Sequence, residues 1–190
     1  MPNASAWVTA CYHAACEALY GRPAGADRPP GKPSEEALAR TEELIGRALS
    51  ALEAVPANAL HAACWVVLAL VAAWRKDHAT ALRLADDAVT IDPTAHALTT
   101  RASVRCSLGD LSGAASDAVA ALAKAPDHHH AELVLACVAG KRRKPWAAAR
   151  PHVERVVALW PEGRPELAEE PDLARYRREP AFRALVGLDG

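Results

Sequence analysis

The sequence has few of the large side chains that usually fill a protein core. Its 190 residues include one Phe, three Tyr, five Trp and one Met, yet hydrophobic residues make up 51% of the chain. The core must therefore be built mainly from Ala, Leu and Val. Small side chains can fill an interior densely only where backbones approach closely. This composition predicts helices packed close together.

Several functional classes lack their sequence signatures here. No nucleophile elbow, phosphate-binding loop, metalloprotease motif or dinucleotide fingerprint is present, which argues against an enzyme and indicates no cofactor. A formal net charge of -1 argues against a general nucleic-acid binder. The longest run without a charged residue or a histidine, 62–74, has 13 residues and is too short to span a bilayer.

The chain also lacks features of a secreted protein. Its N-terminus has no basic region, and His13 and Glu17 interrupt the first apolar run, so no signal peptide is predicted. The five cysteines are odd in number and have no paired spacing. We interpret them as reduced thiols of a cytoplasmic protein.

A spacing pattern of small residues recurs four times. In each copy, residues at offsets of four and three are followed five positions later by Pro, which ends the helix. The prolines are separated by 37, 33 and 35 residues. The four copies are Leu44, Ala48, Ala51 and Pro56; Ala81, Ala85, Ala88 and Pro93; Ala114, Ala118, Ala121 and Pro126; and Ala149, Val153, Val156 and Pro161.

A period near 34 residues that contains two helices resembles the tetratricopeptide repeat (TPR) family, across about residues 5–161. A first-helix pattern of Trp65, Leu68, Ala69 and Ala72 supports the resemblance. The chain departs from the family at Ala72 and Ala85, where large aromatics are expected, and at Ala69, where Gly is expected. The resemblance implies a right-handed α-solenoid whose inner helices line a groove for a peptide or partner protein.

The pattern predicts an all-α fold of about four helix pairs, with a solenoid domain over 1–163 and a capping tail over 164–190. Residues 21–33 contain four Pro and three Gly and are predicted to form a long loop. Pro151 indicates either that the last repeat helix starts late, near Arg150, or that the helix is kinked at this proline; the late start is favoured. Helices are predicted at 5–20, 34–55, 59–74, 78–91, 95–107, 111–124, 129–140 and 146–160.

From residue 164 the repeat pattern stops. A repeat array exposes an apolar face at its end, and this face must be covered. Leu173, Tyr176, Phe182 and Leu185 are predicted to cover it, with a short helix at 179–186.

The TPR resemblance places candidate binding residues on the inner faces of the first helices. Few of them are charged, so an apolar helix or extended segment is the ligand they favour over a charged C-terminus. The alternative is that these side chains face solvent or pack on one another. The candidates are Tyr12, Val66, Leu70, His96, Thr99, Ser103 and Cys106.

Histidines suggest two metal hypotheses. The sequence His-Ala-Ala-Cys occurs at 13–16 and at 61–64 and offers the ligands of a zinc site, but its two copies fall at opposite ends of their helices. A row at the starts of first helices could bind a divalent metal or respond to pH, although solvated histidines are the simpler interpretation. This row consists of His61, His96, His128, His129 and His130.

One charged run also stands out. Four consecutive basic residues could bind an acidic partner, phosphate groups or nucleic acid, although a solvated turn is the simpler interpretation. They are Lys141, Arg142, Arg143 and Lys144.

Three functional hypotheses follow from the sequence. The first is a non-enzymatic module that binds a protein partner in a solenoid groove. The second is a metal-binding or enzymatic accessory protein that uses the histidine row or the groove thiols. The third is a unit that self-associates through an incompletely covered end.

Overall fold

The computed structural model describes residues 4–20 and 33–188, and every regular element among them is helical. The predicted loop 21–33 lies outside the described residues except for residue 33. The repeat helices begin and end within three residues of the predicted bounds. They are α1 (Ala4–Tyr20), α2 (Glu35–Leu52), α3 (Ala59–Trp74), α4 (His78–Ile91), α5 (Ala95–Leu108), α6 (Leu111–Lys124), α7 (His129–Lys141) and α8 (Trp146–Leu159).

The chain divides into two compact units, residues 1–100 and 101–190. In unit 1, α1 packs against α2 and α3 against α4, and α2 also contacts α3. In unit 2, α7 packs against both α6 and α8. The predicted packing of consecutive helices is therefore found within each unit. None of the described helices combines the length and the hydrophobicity that crossing a membrane requires.

The residues of the repeated pattern form the packed faces of their helices. Within each unit the Ala and Val residues of the three later copies are fully buried, which confirms the prediction that they share one buried face. These residues are Ala81, Ala85, Ala88, Ala114, Ala118, Ala121, Ala149, Val153 and Val156.

Three of the four prolines of the pattern end their helices through the residue that precedes them, whereas α2 already ends at Leu52, four residues before Pro56. Asp92, Ala125 and Trp160 each stand before a Pro and adopt extended backbones, with φ of -144°, -139° and -143°. Proline disfavours the helical conformation in the preceding residue. As a result α4, α6 and α8 all stop two residues before their proline, as predicted.

The turns within three of the helix pairs share one hydrogen-bonded geometry. A residue with positive φ follows each first helix: Lys76 at 66°, Gly109 at 85° and Arg143 at 56°. The next residue, Asp77, Asp110 or Lys144, donates its amide to the carbonyl five positions earlier. This left-handed C-cap satisfies carbonyls at the helix end. The same turn thus recurs in both units with only one glycine.

Side chains also fix where the second helices begin. Asp77 accepts a hydrogen bond from the Thr80 amide, and Asp110 accepts one from the Gly113 amide. Such N-caps contribute about 1 kcal/mol each. Helix α8 differs, because Pro145 precedes it and no side chain caps it.

The predicted late start of α8 is wrong. The helix begins at Trp146, so Pro151 lies inside it. Proline lacks the amide that would bond four residues back, but Pro151 is exposed, and solvent can reach the carbonyl left without that bond. The start is set instead by Pro145, whose extended backbone leads directly into the first turn.

The tail of unit 2 packs against α8. A 3₁₀ turn (Pro161–Gly163) leads to α9 (Arg164–Glu169), a second 3₁₀ segment (Pro171–Tyr176) and α10 (Pro180–Val186). Leu173, Tyr176 and Phe182 are at most 2% exposed and cluster with Val153 and Val156 of α8. Leu185 packs against the same cluster.

Candidate functional site

The most distinctive polar site of unit 2 lies where the tail meets the turn between α7 and α8. A pocket of about 320 Å³ opens there. Three of its six lining residues are basic and one is acidic, so the pocket favours an anionic ligand. The lining residues are Gly140, Lys141, Arg143, Pro171, Asp172 and Arg175.

Both sides of the pocket are held by identifiable contacts. The Tyr176 hydroxyl donates a hydrogen bond to the Lys144 carbonyl at 2.8 Å, which joins the tail to the turn. The Arg175 guanidinium lies over the Tyr176 ring, 5.5 Å from its centroid. Arg143 has the left-handed backbone of the turn. The pocket's basic groups therefore come from two segments that one hydrogen bond joins.

Gly140 permits the close approach of these segments. A Cβ at this position would collide with the backbone oxygen of Asp172. A larger residue would therefore push the tail away from α7. Glycine in the last turn of a helix otherwise rich in Ala and Val was the available sequence signal for this contact.

Lys141 and Asp172 form an ion pair at the edge of the pocket, with 3.2 Å between Nζ and Oδ1. Burial acts to lower the pKa of Lys141, but the hydrogen bond and the charge of Asp172 outweigh it and raise that pKa. Both side chains remain partly exposed. The pair therefore leaves two guanidinium groups, those of Arg143 and Arg175, to give the pocket its net positive charge.

A thiol and two carboxylates meet beneath this pair. Sγ of Cys137 and one carboxylate oxygen each of Glu170 and Asp172 all lie within 4.8 Å of one another. Burial raises the pKa of Glu170, against the opposing effect of the hydrogen bond from the Asp172 amide. Burial also raises the pKa of Cys137 well above its ordinary value, and that of Cys106 to about 11.

The predicted groove residues divide between the two units. Tyr12, Val66, Leu70, His96 and Thr99 belong to unit 1, whereas Ser103 and Cys106 belong to unit 2. Val66, Thr99 and Cys106 are at most 5% exposed and lie in the interior. His96 and Ser103 are exposed, and Tyr12 and Leu70 are partly buried.

The histidines of the predicted row each lie in or beside the first turn of a helix. In unit 1, His61 completes a capping box: its Nδ1 accepts from the Asn58 amide at 3.3 Å. In unit 2, His128, His129 and His130 lie side by side, and His129 stacks on Trp160 with 5.0 Å between ring centroids. His61 thus has a capping role, and the three neighbouring histidines form an aromatic cluster.

The two His-Ala-Ala-Cys sequences do not assemble a zinc site within the part of the chain that the structure describes. His13 is exposed, whereas Cys16 and Cys64 are buried in the core of unit 1. Burial raises the pKa of Cys64 to about 11, with smaller contributions from Cys16 and Cys11. These thiols therefore act as small apolar core groups.

The basic run separates into two pairs. Lys141 and Arg143 line the pocket, whereas the exposed Arg142 and Lys144 do not. Cys137, Glu170, Asp172 and Arg175 were not predicted from the sequence, because the last three lie more than 30 residues after Cys137 and no motif relates them to it. Comparison with protein-family models, curated proteins and solved structures found no match to this chain.

Proposed function

We propose that this protein is a non-enzymatic, TPR-like binding module whose unit 2 receives an acidic group of a protein partner in the pocket between the end of α7, the turn that follows it and the tail. The repeated helix pairs, their shared left-handed turns and their Ala-lined faces support a TPR-like repeat within each unit. The basic pocket is the observation that carries the proposed binding function.

The chemistry of the pocket suits a carboxylate on a flexible segment. Arg143 and Arg175 present planar guanidinium groups, which bind carboxylates through two parallel hydrogen bonds. Lys141 is already engaged with Asp172. The acidic group therefore enters between the two arginines, while Asp172 repels a ligand that approaches from its side.

The proposal is tested with a fluorescently labelled, end-blocked peptide of six glutamates, and with its six-glutamine counterpart. We expect fluorescence polarisation to detect binding of the glutamate peptide alone, with an affinity that falls as salt rises. Arg143→Ala and Arg175→Ala should each weaken that binding about tenfold, since each removes a charge-assisted hydrogen bond.

Arg142→Ala is the matched control, because it removes the same charge from the same turn without touching the pocket. We expect it to leave the affinity nearly unchanged. If all three variants lose affinity for the glutamate peptide equally, the binding is a general attraction to positive charge and does not depend on the pocket. Tighter binding of a labelled RNA of matched charge than of the glutamate peptide would overturn the choice of a protein partner.

A further inference from the structure

The thiol and two carboxylates of unit 2 have the spacing and chemistry of a metal site. Among the residues that the structure describes, Cys137, Glu170 and Asp172 form the one group of three such side chains whose donor atoms all lie within 4.8 Å of one another. They come from three places: the middle of α7, the residue after α9 and the second 3₁₀ segment. One ion can therefore contact all three after small side-chain adjustments.

The thiol supplies a second, independent indication. Cys137 is only 7% exposed and has no hydrogen-bond partner among the described residues, yet its sulfur lies beside two carboxylate oxygens. A buried thiol in an apolar core has apolar neighbours, whereas this one adjoins carboxylates whose negative charge a thiol does not neutralise. A cation bound between the sulfur and the oxygens would satisfy all three.

Lys141 already places a positive charge at the edge of this group. Its ammonium lies 3.2 Å from Oδ1 of Asp172 and remains 30% exposed. A flexible lysine at the end of a helix can swing into solvent at little cost. Lys141 therefore acts as a displaceable counter-ion and does not block the site permanently.

We propose that Cys137, Glu170 and Asp172 bind a divalent transition-metal ion of the zinc class, with water completing its coordination. A thiolate selects zinc or cobalt over magnesium and calcium, which prefer oxygen ligands alone. Three protein ligands and one water match an open tetrahedral zinc site. On binding, the thiol proton leaves to solvent and Lys141 leaves Asp172. The ion would then fix the tail to α7.

The full chain is titrated with Co²⁺, which reports its ligands by absorption. A bound thiolate gives a charge-transfer band in the near ultraviolet, which the eight histidines cannot produce. We expect one Co²⁺ per chain with this band, and its loss when Zn²⁺ displaces the cobalt. Cys137→Ser should abolish the band, and Glu170→Gln should weaken the affinity at least about tenfold.

Controls separate this site from other thiols and acids. Cys64→Ser changes a buried thiol of unit 1, and Glu169→Gln changes the exposed acid next to Glu170, so both should keep the band and the affinity. Lys141→Met should tighten binding, because it removes the competing cation. This gain cannot arise from misfolding, and circular dichroism of each variant verifies its helical content.

Absence of the band in folded protein at millimolar Co²⁺ would overturn the proposal. A band that persists in Cys137→Ser, or equal weakening by Glu169→Gln and Glu170→Gln, would also overturn it. The test is independent of partner binding, since it uses the metal alone.

Discussion

The two units are built from the same repeated helix pair but place their interhelical ion pairs differently. In unit 1 an interhelical ion pair lies at the surface, where Arg75 contacts Glu35 and Glu42, whose side chains are 72% and 44% exposed. In unit 2 the buried Asp117 accepts hydrogen bonds from Arg101 and Arg105 at 2.7 to 2.8 Å. Among the described residues, a buried charged side chain is thus found in unit 2, whereas the buried polar side chains of unit 1 are uncharged or histidine.

The tail is a second difference between the two units. Unit 2 contains the segments that depart from the repeat, and the pocket and the thiol–carboxylate group form where these segments meet α7. The repeated helices provide a scaffold of small apolar residues, and the irregular tail brings the acidic residues to it. The pocket and the thiol–carboxylate group of unit 2 therefore lie where the repeat pattern ends.

Removal of Asp117 should produce the largest effect, and it tests directly whether the buried ion pair of unit 2 contributes more to stability than the exposed one of unit 1. Asp117→Ala leaves two partly buried arginines without their shared acceptor, and we expect the free energy of unfolding to fall by about 3 kcal/mol. Glu42→Ala in unit 1 removes only an exposed partner and should cost less than about 1 kcal/mol. Urea unfolding of the full chains measures both, and equal losses would contradict a distinction between the two ion pairs.

Two helical glycines give a second contrast between the units. Gly140→Ala should lower the free energy of unfolding by about 1 to 3 kcal/mol, because its Cβ displaces the Asp172 backbone. Gly46→Ala, on an exposed face of α2 with no atom near the new Cβ, should raise it by about 0.5 to 1 kcal/mol.

Hydrogen exchange read by mass spectrometry locates these effects. Faster exchange over residues 171–176 in Gly140→Ala, with no change there in Gly46→Ala, is the expected pattern. Unchanged exchange in that segment would mean that the tail does not depend on the close approach at Gly140.

The repeated part of the fold follows from local rules, which is why the sequence predicts it well. Offsets of three and four place Ala81, Ala85 and Ala88 on one face, and the following Pro93 ends the helix through Asp92. Each of these effects acts within about a dozen residues. Local chemistry therefore predicts most helix bounds within both units, with the start of α8 as the exception.

The candidate site depends on contacts between distant parts of the chain, which local rules do not reach. Asp172 meets Cys137 and Lys141 only because α8 and the first turns of the tail fold back. The basic run was visible in the sequence, but its division into pocket-lining and exposed residues is set by the position of the tail. In the sequence, only Gly140 indicated that another segment lies close to α7, and no residue indicated which segment that is.

The left-handed turn that both units share allows a prediction with a smaller expected effect on stability. Lys76 and Arg143 have positive φ, which costs energy in residues with a Cβ. Lys76→Gly and Arg143→Gly should each raise the free energy of unfolding by about 0.5 to 1 kcal/mol. Arg142→Gly, at a φ of -71°, should lower it by a similar amount. Destabilisation by both Lys76→Gly and Arg143→Gly would contradict a common strained turn.

The smallest expected effect concerns the histidines of unit 2. Burial lowers the pKa of His128 from its ordinary value of 6.5, and the neighbouring His129 adds to this, while Asp127 opposes it. His130 also faces this ring. The folded state therefore binds fewer protons than the unfolded state, so stability should fall as pH drops below about 6.5.

His128→Asn should reduce this pH dependence, because it removes the group that resists protonation in the folded protein. His96→Asn changes an exposed histidine in the first turn of α5 in unit 1 and serves as the control. Urea unfolding at a series of pH values from 5 to 8 measures the slopes. A slope that is equally steep in His128→Asn and in the native chain would show that the pH response arises elsewhere, and that burial of the His128 ring has no measurable consequence for unit 2.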